Sequence, residues 1–431
     1  MTSPSEKTAA PSAVDIPGLT DHLFRREAAK LVAVLTGIFG IERWQLAEDV
    51  VQEAMVRALQ TWPYYGVPKN PAAWLTQAAK NLALDNLRRE KNFHEKQPQI
   101  ISHIEQLPGE TDGGSSPAFE SEIKDDRLRM MFVCCHPSVS EEGQVALILK
   151  TLCGFSVGEI ANAFLTSEET ITKRLYRARE HFREKKVAFE MPSPQDLQTR
   201  LDNVLTAIYL IFNEGYNSSY HDSIVREDLV EEALRLGKML TDHPLTRQPE
   251  SMALVALMCF QSARLPARVD RDGNLIQLKD QDRTIWNAAM IRLGVSFLDQ
   301  ASQGEKVSSY HLEAAIAHEH CVSKDYASTN WEKILSLYAW LYEMKPDPLI
   351  ALNRLIAFGE LHGPAAGLKE LESFHDVGRM KNYFLYPAVL GEWHAQLGNK
   401  AVAKTHFEHA ISLTNSNTEK QLLLNKIAKL G

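Results

Sequence analysis

The sequence predicts an all-α protein built in three pieces, and three observations carry that expectation. Apolar residues recur at three- and four-residue spacing almost throughout the chain. Runs that alternate β-branched and polar residues, the mark of half-buried strands, are scarce. Two stretches rich in Pro, Gly, Ser and acids interrupt the helical pattern without changing its character on either side. The length, 431 residues, suits about three domains. With 44% hydrophobic and 24% charged residues the chain sits near the globular average, which rules out wholesale disorder, collagen and coiled-coil rods.

The charge narrows the function. A net charge of −8 excludes a generic polyanion binder coated in Lys and Arg, so any nucleic-acid surface must be local. No apolar stretch approaches the ~18–20 residues that span a bilayer, and no membrane partner is expected. The opening MTSPSEKTAAPSAVDIPG lacks the basic-then-apolar order of a secretory signal, and residues 1–19 are expected to be a disordered tail. Five scattered cysteines are too few for a disulfide scaffold and fit a reducing, cytoplasmic setting.

Residues 97–121 (QPQIISHIEQLPGETDGGSSPAFES) are expected to be a flexible linker. Residues 188–198, with Pro192 and Pro194, form a second and shorter one. These delimit pieces at 20–96, 122–187 and 199–431.

In the first piece, WQLAEDVVQEAMVRALQ (44–60) predicts an amphipathic helix. Leu46, Val50, Ala54 and Leu59 fall on its apolar stripe, and Glu48, Asp49, Gln52, Glu53 and Arg57 lie largely outside it. Such a face is either simply solvated or a docking surface for a basic partner helix. PAAWLTQAAKNLALDNLRREKN (71–92) predicts the next helix, with Asn70 as N-cap and Pro71 in its first turn. Trp74, Ala78, Leu82 and Leu87 are expected inward, while Lys80, Asn81, Asp85, Arg88 and Arg89 form a polar, basic stretch. A basic helix end is ordinary dipole complementarity. An aromatic, amides and cations on one helix also suit a nucleic-acid strand, and spacing alone leaves both open.

The second piece is more specific. EEGQVALILKTLCG (141–154) reads as one helix, and FSVGEIANAFLTSEETITKRLYRAREHFREKK (155–186) as helix, short turn, helix. Ile160 and Ala161 face the core of the first; Ile171, Leu175 and Ala178 form the buried stripe of the second. Thr166 or Ser167 is a natural N-cap, and Glu168 and Glu169 suit the positive helix start. This is the layout of a helix-turn-helix, whose second helix enters the major groove. Between Lys173 and Lys186 seven basic residues face two acidic ones, a local excess that suits a phosphate backbone rather than an ordinary basic surface helix. Glu169, Thr172, Lys173, Tyr176 and Arg177 lie opposite the stripe as groove-facing candidates, and Arg174 and Arg179, on the flanks, are candidates for phosphates.

At these residues the chain resembles a known family. AEDVVQEAMVRAL (47–59) followed by WLTQAAKNLALDNLRRE (74–90) is similar to region two of the extracytoplasmic-function sigma factors of bacterial RNA polymerase. GFSVGEIANAFLTSEETITKRLYRARE (154–180) is similar to their region four, and the tandem covers about residues 20–187. The resemblance implies that Asp49, Gln52 and Glu53 meet the polymerase beta-prime clamp, and that the beta flap is a second contact. It implies that Trp74, Asn81, Asp85, Arg88 and Arg89 lie near the melted minus-ten element. It implies that the 168–179 helix, with Glu169, Thr172, Lys173, Arg174, Tyr176, Arg177 and Arg179, reads the minus-thirty-five element of promoter DNA. One departure stands out. Many members open that helix with Gly-Thr-Val-Lys-Ser-Arg, where this chain has Glu169-Thr170-Ile171-Thr172-Lys173-Arg174. The basic residue has moved one position, about 100° around the helix, so promoter sequence does not transfer from relatives.

The third piece lies outside those motifs. LGEWHAQLGNKAVAKTHFEHAISL (390–413) places Gly391, Leu397, Gly398, Ala403, Phe407 and Ala410 at tetratricopeptide-like offsets, with a degenerate repeat before it punctuated by Pro346 and Gly363. An α-solenoid-like extension is expected, and sigma factors with such a fused extension form a subgroup that the chain resembles. FNEGYNSSYHD (212–222) and DQDRTIWN (280–287) are polar for helix packing. Glu214, Tyr216, Asp280, Asp282, Arg283 and Trp286 are candidates for a regulatory contact with a small molecule or protein signal. Helix capping and a buried Asp–Arg pair are the plainer account.

Cys134, Cys135 and His136 adjoin, with Cys153 one helix away. Adjacent cysteines point apart and lack the spacing of structural zinc, so small core side chains are expected rather than a metal or redox centre. The motifs of hydrolases and nucleotide-binding loops are missing, and neither catalysis nor a cofactor is expected. The alternative to a sigma factor is a helix-turn-helix regulator with a ligand- or protein-binding solenoid, for which an acidic docking helix at 48–53 has no use.

Overall fold

The structure, a computed structural model, describes residues 16–89, 102, 117–164, 166–185, 187–216, 225–271, 273–372, 383–414 and 416–431. Most of the expected tail and of the 97–121 linker lies outside the described residues, as do residues 217–222 of the first polar segment. Every longer element among the described residues is helical, and the extended pairing there is one antiparallel bridge between Val269 and Leu275. The chain divides into two compact units, one of the residues up to 161 with 166–200, the other of residues 162–165 with 201 onward. The two pieces expected on either side of the 97–121 linker therefore pack as one unit.

Helix α1 (Ile16–Phe39) explains why. Leu31, Val32, Ala33, Val34 and Leu35 are all buried, so the helix is apolar on every side along this run and has neighbours all round. It packs on α2 (Trp44–Tyr65) and α3 (Pro71–Arg89), and also on α4 (Pro117–Cys134) and α5 (Glu141–Thr151). Helix α4 starts inside the expected linker, with Pro117 at the first helical position, where a missing N–H costs nothing. On α2 the buried stripe is Trp44, Ala47, Val50, Val51, Ala54, Ala58 and Trp62. Leu46 is only half-buried and Leu59 is exposed, which corrects the expected stripe: small alanines, not leucines, meet the neighbouring helices. On α3 the Asn70 side chain accepts from the Ala73 N–H at 3.1 Å, as a cap should. Its core residues are Leu75, Ala79, Leu82, Ala83 and Leu87, while Trp74 and Ala78 sit half-buried at the edge.

Helix α5 begins at a Ser140 cap, and α6 (Val157–Ala163) at a reciprocal box. There the Ser156 N–H donates to Glu159 at 2.7 Å and the Glu159 N–H to Ser156 Oγ at 3.1 Å. Helix α7 (Glu168–Lys185) is capped by Ser167, whose Oγ accepts from the Thr170 N–H at 3.1 Å. It buries Ile171, Leu175 and Ala178, as its periodicity predicts, and Phe182 one turn further.

Helix α8 (Leu197–Tyr216) starts inside the expected 188–198 break and leads into the second unit. There follow α9 (Glu227–Asp242), α10 (Pro249–Ala263), α11 (Ala288–Ala301), α12 (Ser309–Val322) and α13 (Trp331–Met344). The chain ends with α14 (Pro348–His362), α15 (Pro364–Glu372), α16 (Leu385–Gln396), α17 (Lys400–Leu413) and α18 (Asn417–Ala428). From α12 onward each helix packs on the next, the nearest-neighbour pattern of a solenoid. A Cβ on Gly391 would stand 2.6 Å from the Phe407 ring, so only glycine lets that ring fill the gap between α16 and α17. The same fit recurs where Gly359 of α14 meets Trp393 of α16, again at 2.6 Å.

Cys134, Cys135 and Cys153 are buried free thiols, and burial pushes the first two well above the ordinary thiol range. Among the described residues no group of His, Cys, Asp and Glu is arranged to hold a metal, and no helix is long and apolar enough to cross a membrane.

Candidate nucleic-acid interface

On α2, Asp49, Gln52 and Glu53 are exposed. Asp49 accepts from the Gln45 side chain at 2.9 Å, and Glu53 pairs with Arg57 at 3.1 Å one turn on. Both contacts are local and solvated, so the carboxylates remain available to a cationic partner at little cost. The acidic face is thus present as expected.

On α3, Trp74, Asn81, Asp85 and Arg88 fall on one face at helical spacing. Asn81, Asp85 and Arg88 are exposed, and Trp74 packs edge-on against Trp62 with ring centroids 5.6 Å apart. The Arg89 side chain lies outside the described residues. Sequence reasoning passed over the end of α2. Tyr64 and Tyr65 are 84% and 87% exposed, between Pro63 and a Gly66 whose φ of 82° ends the helix. Two adjacent tyrosines bracketed by Pro and Gly were the available signal, since neither fits a buried stripe there.

On α7, Glu169, Thr172, Lys173, Tyr176 and Arg177 are exposed and Arg174 is half-buried. Lys173 pairs with Glu169 at 2.6 Å, both well solvated, and the Thr172 hydroxyl donates to the Glu168 carbonyl at 2.8 Å.

Arg179 departs from its expected role. Instead of facing solvent on the phosphate side, its guanidinium crosses to α2. It donates to Glu48 at 2.7 Å and to Gln45 at 3.0 Å, and lies 5.6 Å from the centre of the Trp44 ring. Trp44 in turn stacks on Phe182, with centroids 6.0 Å apart and planes 2° from parallel. Burial raises the Glu48 pKa, and the Arg179 charge is the main influence against that rise. Beside the pair runs a polar cleft of about 520 Å³, lined on one wall by Gln45, Glu48 and Gln52 and on the other by Thr172, Tyr176, Arg179 and Arg183.

In the second unit the six regulatory candidates separate. Asp282 Oδ1 accepts from the Thr284 N–H at 2.9 Å, capping a short turn, while Arg283 donates to the carbonyls of His320 and Ser323. The expected buried Asp–Arg pair is therefore not formed: each side chain closes a different helix end. Trp286 is buried beneath the guanidiniums of Arg264 and Arg283, at 5.6 and 4.9 Å. Tyr216 lies under Arg268 at 3.8 Å, Glu214 is half-buried, and Asp280 lines a cleft of about 690 Å³ with Lys279, Glu392, Lys400 and Lys426.

Three family descriptions match the chain: Sigma-70 region 2 over residues 23–93, Sigma-70 region 4 over residues 129–182, and a family of unknown function, DUF6596, over residues 200–302. An uncharacterized protein of Rhizobium meliloti is 36% identical over 379 residues, which cover 87% of each chain. The ECF RNA polymerase sigma factor SigG of Mycobacterium tuberculosis is 27% identical over 178 residues, which cover 36% of this chain and 47% of that protein. No solved structure matches.

Proposed function

The chain belongs to the sigma-70 family, in the extracytoplasmic-function class, and from that premise we propose that it binds core RNA polymerase and directs it to specific promoters. The single observation that carries this reading is the tandem of region two and region four on one chain, with an exposed acidic face on α2 and an exposed outer face on α7. In this reading residues 20–96 are region two, 122–187 region four, and 199–431 a regulatory extension.

Asp49, Gln52 and Glu53 take the basic helices of the polymerase clamp, where charge complementarity steers encounter more than it adds affinity. Trp74, Asn81, Asp85, Arg88 and Arg89 border the melted minus-ten strand. Tyr64 and Tyr65 extend that surface with faces on which unstacked bases can stack, each worth ~1–3 kcal/mol. Lys173 and Arg177 point into the major groove at the minus-thirty-five element, and Arg174 reaches phosphate. The chain supplies recognition and strand capture; nucleotide addition belongs to the polymerase, in the cytoplasm where the two meet. The extension receives the signal that sets promoter use.

The test is a transcription assay with purified full-length chain, bacterial core polymerase and a genomic fragment library. Discrete start sites that appear only when the chain is added are expected. No association with core polymerase and no new transcript would sink the reading.

A further inference from the structure

Three helices of the second unit that are not neighbours in sequence line one cavity. Ile356 comes from α14, Ala388 and Val389 from α16, and Leu422 and Leu423 from α18. Alternate helices of a solenoid present the same face, which brings these residues together. The cavity is about 210 Å³ and mainly apolar, and the short turn Leu278–Asp280 adds Leu278 and Lys279 to its lining. Lys279 donates to the Glu392 carboxylate of α16, and Lys426 of α18 donates to the same group. All three side chains also line the cleft of about 690 Å³ that contains Asp280, so the triad stands where the two spaces adjoin.

At this triad two ammonium groups share one carboxylate. Burial works against the Glu392 charge, and the two lysines more than offset it, holding its pKa below the ordinary value. Burial also lowers the Lys426 pKa, with Glu392 as the main opposing influence. A half-buried cation that shares its counter-ion is stabilised by a second anion. The other carboxylates of the cavity already accept hydroxyl donors, Glu360 from Tyr326 and Glu419 from Thr414. In the wider cleft Lys400 and Lys429 are balanced by Asp270 and Asp280. The apolar space sets the size of the rest of the ligand. A cavity of about 150 Å³ holds benzene, so in proportion this one holds about eight carbons. We propose that the α14–α16–α18 cavity binds an amphipathic medium-chain carboxylate, its apolar tail among the helices and its carboxylate on Lys279 and Lys426. This deepens one part of the proposed function, on which it rests, that the extension receives a signal; the binding itself needs no polymerase.

The direct test is calorimetric titration of the full-length chain with octanoate. A Kd of roughly 0.1–1 mM is expected for so small a ligand. Octylamine and octanol should bind at least about tenfold more weakly, having no acceptor of matching charge. Affinity should rise about fourfold per methylene from hexanoate to octanoate and level off beyond, as the space fills. Lys279→Ala and Lys426→Met should each weaken octanoate about tenfold. Ala388→Phe, which fills the cavity, should abolish binding. Lys404→Ala, at an exposed lysine of α17 that lines neither space, should change nothing, and circular dichroism checks the fold of each variant. The exposed Lys279 keeps the test open should a variant at the helices unfold. Octanoate that binds no better than octanol, or that ignores both lysine substitutions, would overturn the site, as would tighter binding of octylamine. Affinity that keeps climbing to hexadecanoate would mean association with apolar surface in general and would overturn it too. In the transcription assay octanoate should change transcript yield with the parent and not with Lys279→Ala. Octanoate bound with unchanged transcription would leave the site standing and overturn the receiving role of the extension. No transcript under any condition, with octanoate still bound, would be a failure of the proposed function and not of the site.

Discussion

Helix α7 and the turn around Arg283 each send an arginine across to another element, and the two contacts differ in kind. Arg179 meets side chains: a carboxylate and an amide on α2 at the edge of a polar cleft, and the indole of the buried Trp44. Arg283 meets backbone. Its guanidinium satisfies carbonyls at the end of α12 that have no partner within the helix, and it covers Trp286. Beside it, burial followed by the charges of Arg264 and Arg283 pushes the His320 pKa down to about 3, so a third cation is excluded from the cluster at neutral pH. A guanidinium on carbonyls belongs to the fold, whereas a guanidinium on a carboxylate in a polar cleft is an equilibrium between partners. The two regions should therefore respond oppositely to substitution.

The largest expected effect is on the fold side. Arg283→Ala removes two charge-assisted hydrogen bonds, each worth ~1.5–3 kcal/mol before discounting for partial exposure. The second unit should lose about 3 kcal/mol, read by urea unfolding followed through tryptophan fluorescence. Asp282→Ala, which loses only an exposed cap, should cost much less. A double variant as stable as the parent but altered in transcription would reverse the assignment and return these residues to a signal site.

On the functional side, stability should hold while recognition changes. Lys173→Ala and Arg177→Ala should each lose ~1–3 kcal/mol of discrimination at one minus-thirty-five base pair, measured as transcription from promoter variants, with no shift in melting temperature. Equal loss on every promoter would mean that both residues only hold phosphate. A smaller effect is expected on the acidic face. Asp49→Lys with Glu53→Lys should weaken core polymerase binding roughly tenfold, about 1.4 kcal/mol. Unchanged pull-down of core enzyme would remove α2 from the interface.

What the sequence made legible follows the same division. The stripe of Ile171, Leu175 and Ala178 was readable because a helix of known period buries residues at fixed angles. So were the Asn70 cap and the Gly391–Phe407 fit, which depend on neighbours in sequence or on a repeat pattern. Leu59 and Trp74 were misplaced because period fixes which residues share a face but not where a neighbouring helix stops covering it. Arg179 was assigned to phosphate for a related reason. Its flank position was right, yet whether a flank arginine finds DNA or the chain's own Glu48 depends on packing over more than 130 residues of separation, which no local pattern encodes. Helix α1 escaped notice as the shared core of the first unit, since a helix apolar on several sides shows no stripe to read.

The smallest effect sharpens the comparison most. Arg179→Ala should cost about 1 kcal/mol at neutral pH, because Lys150 lines the same cleft and still offsets part of the Glu48 charge. The loss should depend on pH with a definite sign. Burial already raises the Glu48 pKa above its ordinary value of 4.5, and removing Arg179 takes away the main influence that opposes the rise. From 4.5 up to the folded-state value the native chain then holds more protons than the unfolded one, so stability falls as pH increases through that window. The deficit of Arg179→Ala relative to the parent should be largest above the window and shrink as the pH is lowered toward 4.5, where Glu48 is protonated and has no charge to leave unpaired. Urea unfolding of Arg179→Ala and of the parent at two pH values reads the difference, and a deficit that grows on acidification would mean that the ion pair does not carry the contact between α2 and α7.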